Sequence, residues 1–206
     1  MNIAVLVSNK GTGSSLKALL AENFPVKLVI ADTEDAAGIK IAKHHKIPGE
    51  VLPYKRPQDI SKEEYRDNYC LELAKIINSQ KLDIVVLAGF NRILTKPYFA
   101  KFDGITINIH PGAIPDEKDN PYKFEDGTEA PWNQSIMTET AVANFLPLKF
   151  ATSTIHIVTE EADFGPVLKR AFVQVEKEDT IDTLYARLKQ AEHKGLVEVL
   201  KNSNLV

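Results

Sequence analysis

The sequence is poor in features that mark exported or membrane proteins. Its 206 residues include one cysteine, Cys70, so no internal disulfide can form and a reducing, cytoplasmic compartment is expected. The longest apolar runs, such as residues 84–88, have the length of a strand and fall far short of the ~20 residues that a membrane helix needs. Met1 leads into an apolar strand without a cationic flank, so we expect neither an export signal nor a membrane partner.

An excess of positive charge is also missing. The chain has 25 basic and 28 acidic residues, and the resulting net charge of −3 provides no field to hold nucleic acid. With 44% apolar and 26% charged residues, the composition is that of a soluble globular protein with one sizeable core. We therefore expect a single domain over residues 1–206 and no nucleic-acid partner.

Apolar, β-branched segments alternate with segments of helical periodicity, which predicts an α/β fold with a mostly parallel, Rossmann-like sheet flanked by helices. Ser14 or Ser15 is predicted to cap the first helix, in which Leu16, Leu19 and Leu20 recur on one face. Strands are predicted at residues 2–7, 26–31, 83–88, 105–109, 154–158 and 171–175, and further helices at residues 36–45, 62–79 and 180–200.

A polar segment interrupts this pattern after His110. Residues 111–131 contain four prolines and no sustained periodicity, and residues 116–149 contain seven acidic against three basic residues. This acidic insertion, residues 116–149, also carries large apolar side chains, whose burial is energetically favourable. We therefore expect it to pack on the body of the protein as a rim or lid; the apolar residues are Tyr122, Phe124, Trp132, Ile136 and Phe145.

A loop rich in small residues, residues 8–15, joins the first predicted strand to the first helix. Free backbone N–H groups at a helix N-terminus bind anions, and Gly11 and Gly13 allow close approach of the backbone, so phosphate is the obvious candidate ligand. The glycine spacing fits neither a dinucleotide fingerprint nor a P-loop, which disfavours NAD and ATP. The alternative is a tight turn without a ligand.

Asn108 and His110 lie two residues apart at the carboxyl end of a buried strand, so their side chains project to the same side. Ligands of open α/β sheets bind at this end of the strands. The Asn amide can donate to a developing oxyanion, and a His can act as acid or base near neutral pH. The alternative is a buried Asn closing a turn beside a core His.

Two further segments follow predicted strands: residues 89–94, and the turn from Asp163 to Pro166, which could hold a carboxylate in a fixed pose. Singly, each reads as an ordinary loop. Function is favoured because all four segments fall at the same edge of one sheet. The spacing of the remaining histidines fits no metal-binding pattern, so no metal is expected.

Taken together, these strings resemble the phosphoribosylglycinamide formyltransferases, of the 10-formyltetrahydrofolate-dependent formyltransferase family. The resemblance runs from the first strand to the last helix and implies the Rossmann-like formyltransferase fold. It rests on Gly11-x-Gly13-Ser14-x-Leu16, Val86-Leu87-Ala88-Gly89-Phe90-x-Arg92-Ile93-Leu94, Asn108-Ile109-His110-Pro111, Thr154-x-His156-x-Val158-Thr159, Asp163-x-Gly165-Pro166-Val167 and Glu192-His193.

The resemblance implies formyl transfer from 10-formyltetrahydrofolate to the amine of glycinamide ribonucleotide, in purine synthesis and without a metal. Asn108 and His110 would stabilise the tetrahedral oxyanion, with His110 as general acid held and kept protonated by Asp163. The other implied roles are phosphate binding by Gly13, Ser14 and Ser15, contact with the glycinamide by Gly89, ribose binding by Glu192, a pterin pocket of Asn91, Arg92, Ile93 and Leu94, and contact with the folate tail by Lys62.

The acidic insertion departs from the family pattern and makes the separation of His110 and Asp163 unusually long. It leaves two alternatives open: a formyltransferase for another amine, such as an amino sugar nucleotide, or a non-catalytic nucleotide- or folate-binding module. The implied assembly is a monomer or homodimer.

Overall fold

The computed structural model describes residues 1–9 and 11–202. Within these residues the chain forms seven strands and six helices. Their order is β1 (Ile3–Val7), α1 (Ser14–Ala21), β2 (Val26–Ala31), α2 (Ala37–His44), β3 (Gly49–Val51), α3 (Lys62–Asn78), β4 (Ile84–Leu87), α4 (Lys96–Phe99), β5 (Ile105–His110), α5 (Thr138–Ala143), β6 (Phe150–Ile157), β7 (Val167–Gln174) and α6 (Ile181–Lys201).

The strands form a seven-stranded sheet with the order β3-β2-β1-β4-β5-β6-β7. β1 pairs in parallel with β2 and β4, and β2 pairs in parallel with β3, whereas β6 and β7 are antiparallel. All five residues of β1 are buried, as expected of a parallel strand covered on both faces. The predicted α/β class, with a mostly parallel sheet flanked by helices, is confirmed.

The chain divides into two compact units, residues 1–107 and the described residues from Asn108 onward. The first unit contains β1 to β4 and the helices α1 to α4. In the second unit, α6 packs on β6, β7 and α5. The single domain expected over residues 1–206 stays a prediction.

Most element bounds agree with the sequence patterns, but β6 and β7 each begin four residues before the predicted 154–158 and 171–175, because their antiparallel pairing includes polar residues such as Ser153 and Arg170. The start of α1 also differs. Neither Ser14 nor Ser15 caps this helix, because the N-cap is Gly13, whose backbone adopts a left-handed conformation (φ 69°) and which has no side chain to cap with. Helix α3 begins at Lys62, as predicted, and the Ser61 side chain accepts a hydrogen bond from the Glu64 N–H. The short elements β3, α4 and α5 lack a sequence signal long enough to be predicted.

The acidic insertion is ordered and apolar on its inner side. Phe124 and Phe145 are 5% and 0% exposed, and they form a cluster with Val142 of α5 and Leu184 of α6. Burial of these rings stabilises the segment. The expected packing of the insertion is therefore found within the second unit. None of the described helices has the length and apolar character needed to cross a membrane.

Candidate active site

The end of β5 places the first two predicted catalytic residues. His110 is 3% exposed, and its ring contacts two groups within the second unit. Nδ1 lies 3.4 Å from Asp163 Oδ1, and Nε2 lies 2.7 Å from the carbonyl oxygen of Trp132. The predicted association of His110 with Asp163 is therefore present in the structure, although 53 residues separate the two in the sequence.

The turn after β6 fixes Asp163. Its backbone is left-handed (φ 51°), and Gly165 follows with φ 152°, where an added β-carbon would collide with the carbonyl oxygen of Ile157. Asp163 Oδ2 accepts a hydrogen bond from the N–H of Ser135 over 2.9 Å.

The ionisation of Asp163 follows from these contacts. Partial burial raises the pKa of its carboxyl, but the hydrogen bond and charge of His110, together with the Ser135 N–H, outweigh burial, and the net pKa is lowered. Asp163 is therefore a carboxylate at neutral pH, able to accept a proton or to stabilise a cation beside it.

Asn108 is oriented by His156 on β6, a residue that belongs to one of the quoted motifs but to which the sequence analysis gave no role. His156 Nδ1 lies 3.0 Å from the carbonyl oxygen of Ile157, which can only accept, so Nδ1 carries the hydrogen. Nε2 is then the acceptor for Asn108 Nδ2, 3.4 Å away. Burial and the charge of His110 lower the pKa of His156 to about 4, so this ring is neutral. One amide hydrogen of Asn108 is thus held by His156, and the other can be donated to an oxyanion.

Glu192 of α6 lies in the same unit and is 5% exposed. Its Oε1 accepts a hydrogen bond from Ser153 Oγ over 2.6 Å. Burial raises the pKa of this carboxyl, against the opposing effects of Ser153, Lys189 and His110. Its contact with a ribose stays a prediction.

In the first unit, the loop before α1 lies against the segment after β4. A β-carbon added to Gly89, which has φ 73°, would lie 3.5 Å from the Cα of Gly11, so these two backbones approach closely. Ser14 and Ser15 are the first residues of α1 and are half-buried. Lys10, in the same loop, lies outside the described residues.

Two of the predicted pterin residues make polar contacts within the first unit. The Asn91 N–H donates to Ser8 Oγ over 3.0 Å, and Arg92 pairs with Asp32 at the end of β2. Ile93 is 45% exposed, whereas Leu94 is 3% exposed and belongs to the core. Ser8 belongs to the predicted loop but was given no role. Asp32 was missed, although it follows a buried strand at its carboxyl end, which is a usable signal.

The structure thus gathers the predicted residues into two groups, one in each unit. The catalytic residues and Glu192 are in the second unit, and Gly13, Ser14, Ser15, Gly89 and residues 91–94 are in the first. Lys62 is exposed at the start of α3. The described residues contain no group of three or more His, Cys, Asp or Glu side chains placed to hold a metal ion.

Known proteins resemble this chain over nearly its whole length. The family model described as formyl transferase matches residues 1–200. Phosphoribosylglycinamide formyltransferase of Dictyostelium discoideum is 32% identical over 97% of this chain and 96% of its own length. The Escherichia coli protein of that name is 31% identical over 94% of this chain and 82% of its own length.

Longer proteins also match. The human trifunctional purine biosynthetic protein adenosine-3 is 32% identical over 93% of this chain, but the match spans 17% of that protein. The crystal structure of phosphoribosylglycinamide formyltransferase from Streptococcus pneumoniae superposes with a TM-score of 0.76 at 28% identity, covering 98% of this chain and 97% of that one. These matches confirm the resemblance seen in the sequence, and the chain belongs to the formyl transferase family.

Proposed function

We propose that this protein transfers the formyl group of 10-formyltetrahydrofolate to the amine of glycinamide ribonucleotide, a step in purine synthesis. The observation that carries the proposal is the His110–Asp163 pair beside the oriented amide of Asn108, in a member of the formyl transferase family. The relatives from Dictyostelium and E. coli, which bear the name of this activity and match over most of their own length, support it.

The reaction requires two proton movements that these residues can serve. The amine attacks the formyl carbon, and Asn108 Nδ2 and an N–H of His110 donate to the oxygen that becomes negative. When the bond between the formyl carbon and N10 of the folate breaks, N10 takes a proton for which His110 is the donor. The carboxylate of Asp163 stabilises the protonated His110 and accepts, through a water, the proton that the amine loses.

The substrate contacts are part of the same proposal. Gly13, Ser14 and Ser15 bind the ribose phosphate at the N-terminus of α1, Gly89 contacts the glycinamide, and Glu192 binds the ribose hydroxyls. The folate contacts are Asn91, Arg92, Ile93 and Leu94 for the pterin and Lys62 for the tail. We place the reaction in the cytoplasm because a lone, buried cysteine suits a reducing compartment.

The test is formyl transfer from 10-formyltetrahydrofolate to two acceptors, glycinamide ribonucleotide and an amino sugar nucleotide, followed by the absorbance of the folate product. We expect turnover with the first acceptor alone, and its loss in a His110→Ala control. Transfer to the amino sugar nucleotide alone would show that this compound, and not glycinamide ribonucleotide, is the acceptor. Folate binding without transfer to either amine would make the chain a binding module and refute the proposal.

A further inference from the structure

The acidic insertion reaches the catalytic pair through its backbone. The carbonyl oxygen of Trp132 lies 2.7 Å from His110 Nε2, and a carbonyl can only accept a hydrogen bond. Nε2 must therefore carry a hydrogen in this contact. The other ring nitrogen, Nδ1, faces the carboxylate of Asp163. One ring nitrogen of His110 is thus committed to the insertion and the other to the acid partner.

The same stretch of chain holds Asp163. The Ser135 N–H donates to the carboxylate, and the indole N–H of Trp132 donates to the backbone carbonyl of Asp163 over 2.7 Å. The Trp132 ring packs on Phe164, with centroids 5.6 Å apart. Residues 132–135, which we call the positioning segment, therefore contact both members of the pair at hydrogen-bond distance.

Asn133 anchors the positioning segment. It is 5% exposed, and its Nδ2 donates to the carbonyl oxygens of Pro111 and Ala141 over 2.9 and 3.1 Å. Asn144 donates to its Oδ1 over 2.8 Å. A buried amide with this many partners resists displacement, because moving it would leave polar groups unsatisfied.

Gly112 makes the approach of the Trp132 carbonyl possible. A β-carbon at position 112 would collide with that carbonyl oxygen and would lie 2.7 Å from His110 Nε2. The space between the His110 ring and the Trp132 carbonyl therefore has no room for a methyl group. Gly112 is therefore a point where a small substitution can separate the two groups.

We propose that residues 132–135 position the catalytic pair, with the Trp132 carbonyl keeping a hydrogen on Nε2 so that Nδ1 is the nitrogen that exchanges a proton. The proposal rests on the proposed function, in which His110 is the acid. In the reaction, Nδ1–H is the N–H that donates to the developing oxyanion, and it then gives its proton to N10 of the folate, which leaves His110 in the neutral Nε2–H form. The proton that Asp163 has accepted from the amine passes to Nδ1 and restores it. Trp132 thus sets the role of each ring nitrogen without touching the substrate.

The first measurement needs no substrate. In ¹⁵N-histidine-labelled protein at alkaline pH, we expect a slowly exchanging Nε2–H signal for His110 and a non-protonated Nδ1, with the signal identified by its absence in His110→Gln. A hydrogen on Nδ1, or a rapidly exchanging Nε2–H, would overturn the proposal. The NMR result does not depend on whether formyl transfer is detected. Failure of this proposal can therefore be distinguished from failure of the proposed function.

The second measurement separates the carbonyl from the ring. Gly112→Ala should abolish the slowly exchanging signal and lower kcat at least tenfold, while both Michaelis constants stay within about threefold. Gly49→Ala is the control, because position 49 does not have a left-handed backbone and an added β-carbon would meet no atom closer than 3.5 Å. Gly49→Ala should leave the signal and kcat unchanged.

Asn133→Gly is the second variant, to be used if Gly112→Ala does not fold. It keeps the left-handed backbone (φ 60°) and removes the anchoring amide. It should weaken the Nε2–H signal and lower kcat in the same direction. Unchanged kcat in either folded variant, after loss of the signal, would show that the contact has no part in catalysis.

Discussion

Arg92 Nε lies 2.7 Å from Oδ2 of Asp32, a carboxylate whose side chain is 1% exposed. Ser8 Oγ donates to the same oxygen over 2.8 Å, and the Arg92 guanidinium lies over the Tyr54 ring, 4.4 Å from its centroid. A buried carboxylate is tolerated only when it is paired and hydrogen-bonded. Asp32 therefore fixes the segment to which Arg92 belongs, although Asp32 itself was not among the predicted site residues.

Asp32→Asn is expected to weaken binding of the folate donor by about tenfold, because the neutral amide holds Arg92 and Ser8 less firmly. The thermal midpoint should also fall. Binding is measured by titration with a non-reactive folate analogue, with the exposed Asp35→Asn as control. Unchanged affinity in a destabilised Asp32→Asn variant would make the ion pair purely structural.

Asn108→Ala and His110→Ala are each expected to lower kcat/KM by about 100-fold or more while the protein remains folded. The reason is that, in the proposed mechanism, each variant removes a donor to the negative charge that develops in the transition state. Steady-state kinetics and circular dichroism measure the two effects, and Asn78→Ala on α3 is a control outside the site. Near-normal turnover in either variant would contradict the assigned mechanism.

Asp163→Asn is expected to lose turnover and to change the dependence of stability on pH. The pKa of Asp163 is lowered in the folded protein, so its carboxylate contributes stability above the ordinary aspartate range. That contribution is lost as the pH falls through the folded pKa. The difference in unfolding free energy between wild type and variant should therefore be present at neutral pH and disappear in acid. A difference that is constant with pH would contradict the lowered pKa.

His156→Gln is expected to reduce the acid sensitivity of the fold. The pKa of His156 is about 4 in the folded protein against an ordinary value of 6.5, so stability is complete above pH 6.5 and decreases as the pH falls toward 4. The lowered pKa of His156 corresponds to about 3 kcal/mol of unfolding free energy that wild type loses as the pH falls from 6.5 to 4. His156→Gln should not lose this contribution. Denaturant unfolding at several pH values measures the effect, and the exposed His44→Gln should behave as wild type. Equal acid sensitivity of His156→Gln and wild type would exclude the neutral His156.

The sequence predicts those parts of the site that follow from strand geometry. Asn108 and His110 share a side because residues two apart on a strand do so, and β2 was predicted with the bounds Val26–Ala31 that the structure shows. Asp163 required the family resemblance, because its distance to His110 depends on a turn with left-handed backbone that spacing does not reveal.

The contact of the Trp132 carbonyl with His110 had no signal at all in the sequence. A backbone carbonyl is present at every position, so only the path of the chain decides which carbonyl reaches the ring. The predicted N-cap of α1 was wrong for a related reason. Serine is a favourable cap in general, but the N-cap position has a left-handed backbone that suits the glycine at position 13.

Replacement of residues 116–129 by a short Gly-Ser linker is expected to destabilise the protein and to change its kinetics. The linker removes Phe124 from the buried cluster with Phe145, and it removes Asp116, which pairs with Arg170 over 3.1 Å. Loss of a buried phenylalanine costs about 3–5 kcal/mol, which corresponds to a fall of roughly 10 °C in Tm for a chain of this size. Both Michaelis constants should change more than twofold, because the same segment leads into Trp132 beside His110.

Phe124→Ala separates the two effects of the linker. This variant should reproduce the fall in Tm with smaller changes in the Michaelis constants, because it keeps the chain length between His110 and Trp132, and the exposed Glu125→Ala should change neither. Calorimetry and steady-state kinetics on the three variants measure the outcome. If the linker variant keeps its stability, its turnover and both constants within about twofold, residues 116–129 contribute nothing to the site, since every contact that ties them to Arg170 and Phe145 would then be dispensable.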